Sequence, residues 1–126
     1  MRSNIVIMIA LMVLLTMLVP ATAAASPTSE MAGIIMNLNH RPSPADKQHL
    51  MDIINDKSTS AGEKVLAKAL MNMDHHIGSS DKDKLMKMID DNNTPKGERE
   101  LAEILVNLNH HASSDDKVTL KQLMAK

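Results

Sequence analysis

Apolar residues fall along this chain in two alternating rhythms. In the first, Met31, Ala32, Ile34, Ile35 and Leu38 stand at relative positions 0, 1, 3, 4 and 7. Leu66, Ala67, Ala69, Leu70 and Met73 repeat that spacing, and so do Leu101, Ala102, Ile104, Leu105 and Leu108. This is one face of a 3.6-residue helix and not the alternation of a strand. A second, narrower stripe at i, i+3, i+4 follows each: Leu50, Ile53, Ile54; Leu85, Met88, Ile89; and Leu120, Leu123, Met124.

Polar residues mark where these helices start and stop. Thr94-Pro95 reads as a cap followed by proline at the first helical position, with Thr59-Ser60 its counterpart and Ser26-Pro27 opening the first copy. Ser43-Pro44-Ala45-Asp46 is close to a capping box before the second stripe. Ser113-Ser114-Asp115-Asp116 repeats it, and Gly78-Ser79-Ser80-Asp81 is the divergent copy. Asn55-Asp56 and Asp90-Asp91 end the second helices.

The two rhythms recur with a period of 35 residues. Ala32/Ala67/Ala102, Asn37/Asn72/Asn107, His40/His75/His110, Asp46/Asp81/Asp116, Lys47/Lys82/Lys117 and Leu50/Leu85/Leu120 are the same in all copies. The expected fold is all-α: three tandem helix-turn-helix units at 28–62, 63–97 and 98–126, forming a small right-handed solenoid or a compact bundle. Lys121 replaces Met51 and Met86 in the final unit, which reads as the polar face of a terminal capping repeat. The period is close to that of tetratricopeptide repeats, but a chain without Trp, Tyr or Phe has none of their aromatic signature positions.

Residues 1–25 stand apart. Arg2, the apolar run Ile5 to Val19, Pro20 and the small residues Ala21 to Ala25 read as a secretory signal peptide cleaved after Ala23 or Ala25. The rest, 26–126, is then one exported domain, periplasmic or extracellular, with no stable membrane insertion. It has no Cys, so it folds without disulfides. Its charges are interspersed and near balance, which excludes a nucleic-acid surface. With no Cys nucleophile, no glycine-rich phosphate loop and no HExxH motif, nothing points to an enzyme.

Candidate chemistry concentrates in Asn37-Leu38-Asn39-His40, Asn72-Met73-Asp74-His75 and Asn107-Leu108-Asn109-His110. On a continuing helix, the Asn and His of each copy lie on one side, away from the core stripe. Asn37, His40, Asn72, His75, Asn107 and His110 therefore form a candidate binding strip on a scaffold that contacts a protein, a peptide or another copy of itself. Their simpler role is to close the first helix against the following turn. In this reading there is no cofactor.

A second reading is a binder of copper, silver or zinc, using Met36, His40, Met71, Met73, His75, His76, His110 and His111. Two points oppose it. Unit three has Val106 and Leu108 where the Met residues would stand. Stacked helices would also hold equivalent His residues roughly 10 Å apart, too far to share an ion.

Overall fold

The computed structural model describes residues 25–126. The signal-peptide segment lies outside the described residues, apart from Ala25. Six helices form: α1 (Pro27–Met36), α2 (Pro44–Asn55), α3 (Ala61–Asn72), α4 (Ser79–Asp90), α5 (Lys96–Asn107) and α6 (Ser114–Met124). No β-strand occurs among the described residues, and no described helix is long and apolar enough to cross a membrane.

Local chemistry sets most of the starts. The Ser26 hydroxyl accepts from the Ser29 N–H and the Ser113 hydroxyl from the Asp116 N–H. Ser43 with Asp46, and Ser60 with Glu63, complete reciprocal capping boxes. Gly78 at the head of α4 makes no side-chain cap. At α5 the sequence expectation shifts by one residue: Pro95, not Thr94, is the N-cap. Thr94 is drawn instead into the preceding turn, where its N–H donates to the Asp91 carbonyl. Thr59 makes the same bond to Asp56 one repeat earlier.

All fifteen positions of the first apolar pattern are buried. The helices that carry them, α1, α3 and α5, pack against one another in the centre. Ala32, Ala67 and Ala102 have no exposed surface, and their small side chains let the three helices approach closely. The second helices lie outside. Each packs chiefly on the first helix of the following unit: α2 on α3, α4 on α5, and α6 back onto α1.

That last contact closes the array into a ring. The Ser29 hydroxyl donates to the Met124 carbonyl at 3.2 Å across the seam. Of the two architectures expected, the molecule is therefore the compact bundle and not an open solenoid. Closure also changes the meaning of the last unit. It is not a cap, because α6 covers the first helix as α2 and α4 cover theirs. The outer helices bury only a narrow stripe. Leu50, Leu85 and Leu120 are fully buried, while Met124, expected in the core, is 44% exposed at the chain's end.

Candidate metal centre

Each first helix stops short of its repeated His. α1 ends at Met36, α3 at Asn72 and α5 at Asn107. The Asn side chain supplies part of the stop. Asn37 Nδ2 donates to the Gly33 carbonyl at 3.1 Å and Asn107 Nδ2 to the Glu103 carbonyl at 3.0 Å. The Gly33 carbonyl also accepts from the Asn37 backbone N–H at 3.4 Å, so the side chain is a second donor that turns back on the helix end. Asn37 and Asn107 thus take part in helix termination, and the helices stop before the His residues, so no strip of Asn and His forms along one helix face.

Beyond the stop, two buried residues pin each loop. Leu38, Met73 and Leu108 stand two residues before the His, and Pro42, Ile77 and Ala112 two residues after; all six are buried. The His between them is exposed and has a positive φ: 67° at His40, 65° at His75 and 65° at His110. Three-residue turns close around two of them, with Arg41 N–H donating to Asn39 at 2.8 Å and His111 N–H to Asn109 at 2.7 Å. A turn of this kind with positive central φ is rare and strained.

The three loops meet on the pseudo-threefold axis. His75 N–H donates to the His40 carbonyl at 2.8 Å, His110 N–H to His75 at 2.7 Å, and His40 N–H to His110 at 2.8 Å. This cycle of backbone bonds locks the three residues in register and aims their rings at one point. The Nδ1 atoms lie 3.1 Å apart for His40–His75, 2.9 Å for His40–His110 and 3.1 Å for His75–His110. Ring centres stand farther apart, 4.9–5.0 Å, so the Nδ1 corner of each ring is the one turned inward.

Such a triangle cannot satisfy itself. Each Nδ1 carries either a proton or a lone pair. A hydrogen bond needs one of each, so at least one edge of any three-membered arrangement sets like against like. A single cation at the centre resolves all three edges. Its geometry also fits: nitrogens bound at 2.0–2.1 Å to one ion stand roughly 2.9 Å apart at right angles and roughly 3.4 Å apart at the tetrahedral angle. The observed separations fall at the lower end of that range.

Protonation favours the same state. Loss of water around the His110 ring, with repulsion from His40, His75, His111 and His76, holds its pKa below the ordinary imidazole value. Its lone pair is therefore available at neutral pH. Asp74 Oδ1 lies 3.6 Å from Nε2 of His75, on the outer side of that ring. A carboxylate there favours the Nε2–H tautomer and leaves Nδ1 free to bind.

The sequence expectation of about 10 Å between equivalent His residues is overturned, because they sit on converging loops and not on stacked helices. The thioether part of the metal reading is corrected as well. Met73 is buried in the core, and Met36 and Met71 are half-buried against it. His76 and His111 are exposed beside the cluster but do not belong to the converged triad. The absence of these Met residues from unit three therefore does not bear on the triad, to which each unit brings its His. The signal in the sequence was the recurrence of His, where glycine or asparagine is commoner, at a positive-φ position in all three copies.

Comparison with protein-family models, with curated proteins and with solved structures returns no match for this chain.

Proposed function

We propose that this protein binds one transition-metal ion per chain, held by Nδ1 of His40, His75 and His110. The observation that carries the reading is the convergence of three inward-facing Nδ1 atoms within 3.1 Å on strained turns. A turn alone needs no imidazole there. Three neutral nitrogen donors suit zinc or copper, and not calcium or magnesium, which take oxygen ligands. With the thioethers held in the core, silver loses the soft donors that favoured it. The signal-peptide reading of residues 1–25 places the site outside the cytoplasm. A protein-docking scaffold has less support, because ring closure takes away the concave face of an open array.

The test is competition titration of the protein with Zn(II) and Cu(II) against a chromophoric chelator. One ion per chain with sub-micromolar affinity is expected, lost when His40, His75 and His110 are all changed to Gly. Affinity no better than that of an unstructured peptide of equal His content would end the reading.

A further inference from the structure

Resting on that metal site, we infer that the bound ion keeps at least one coordination position open to solvent and that a small anion fills it. Three features carry this. First, the nitrogen donors number three: among the described His, Cys, Asp and Glu residues, the group placed to share one ion is His40, His75 and His110. All three are exposed at the end of the bundle. Four-coordinate zinc therefore lacks a ligand, and the observed nitrogen spacing, close to that of right-angle coordination, leaves room for more.

Second, the donors are neutral. Three imidazoles leave the full double charge of a divalent ion uncompensated. The chain has no Cys to supply a thiolate. Asp74, the carboxylate beside the cluster, faces Nε2 of His75 and so stands on the wrong side of that ring to ligate the same ion. Third, the permanent guanidinium charge of Arg41 follows His40 directly, and Arg41 is exposed. A site with net positive charge and an open coordination position selects an anionic oxygen or nitrogen donor over a neutral one. Carboxylates and phosphates are the common solutes of that chemistry. The protein would then carry metal and anion together, each raising the affinity for the other by the same factor.

Cobalt(II) is the probe, because its visible absorption reports coordination. The full chain is loaded with Co(II) and titrated separately with azide, acetate and inorganic phosphate. A saturable spectral change with one anion per metal is expected, together with a rise in apparent Co(II) affinity at saturating anion. The His75→Gly protein, which keeps a residue able to adopt the same turn, should bind Co(II) weakly and show neither effect. Cobalt bound through the His triad with a spectrum that none of the three anions alters would overturn the inference and leave the metal reading standing. Failure of cobalt, zinc and copper alike to bind would remove both.

Discussion

At the scale of single residues, the three His residues combine a cost with a use. An L-residue in the left-handed region is disfavoured by roughly 1–2 kcal/mol, and His40, His75 and His110 all sit there. Removing the ring separates the two effects. His75→Ala and His75→Gly both lose a ligand, but only glycine relieves the backbone. Without metal, the Gly variant should unfold at higher urea concentration than the Ala variant, by about 0.5–1 kcal/mol once glycine's extra unfolded-state entropy is counted. Coincident unfolding curves would show that these turns store no strain.

A second residue tests the other end of α5. Glu98 is 6% exposed, and its carboxylate accepts from the Ser60 hydroxyl at 3.1 Å. Burial, and to a lesser degree Glu63, hold its pKa above the usual carboxylate value, against the lowering effect of Ser60. A raised folded-state pKa means that its contribution is fully present below the unfolded value near 4.5 and is lost as pH rises through the folded one. Glu98→Gln keeps an acceptor for Ser60 without the charge. Its melting temperature should exceed that of the parent at pH 7, with the difference shrinking toward pH 4. An equal difference at both pH values would contradict the assignment.

At the scale of elements, the helices were legible because each level of the sequence agreed. Periodicity, capping hydroxyls and the turn residues Asp56 and Asp91 all pointed to the same segments. The fifteen inner core positions follow directly from one helical face. What misled was continuing that face past its end. Asn37 and His40 share a side only if the helix runs through both, whereas α1 stops at Met36 and the next three residues enter a turn. Periodicity describes a helix but carries no information on the loop that follows it. The divergent cap at α4 gives this level its own prediction. Ser43 and Ser113 cap α2 and α6, but Gly78 offers α4 no side chain. Its φ of −63° suits any residue, and an added Cβ meets nothing within 4 Å. Gly78→Ser should therefore stabilise the protein by about 0.5–1 kcal/mol, through the new cap and a less flexible unfolded chain. A loss of stability in urea denaturation would mean that the open start of α4 is needed.

At the scale of the molecule, the ring and the His triad arise together. Three equivalent loops converge only because α6 returns to α1, and no local pattern in the sequence says whether an array closes. The sequence leaves solenoid and bundle equally open because both bury the same stripes, and equivalent His residues stand roughly 10 Å apart only where helices stack as in a solenoid. Since the ligands come from all three units, an ion at 100 times its Kd should add about 2.7 kcal/mol to folding. For a domain of this size that is a rise in melting temperature of roughly 10–20 °C, reversed by EDTA. Closure also makes the order of units immaterial. Five residues, Asp56 to Ser60 and Asp91 to Pro95, join one unit to the next. Ala125, Lys126, two added residues and Ser26 give a joint of equal length from α6 to α1. A circular permutant built this way from residues 26–126, opened between Lys57 and Ser58, should fold as a monomer. It should bind one metal ion with affinity within about a factor of three of the parent, a difference under 1 kcal/mol. The cut falls in an exposed turn, where permutation is best tolerated. If the permutant bound metal only as a concentration-dependent oligomer, the α1–α6 seam would not be equivalent to the other two, and the threefold description of the site would have to be given up.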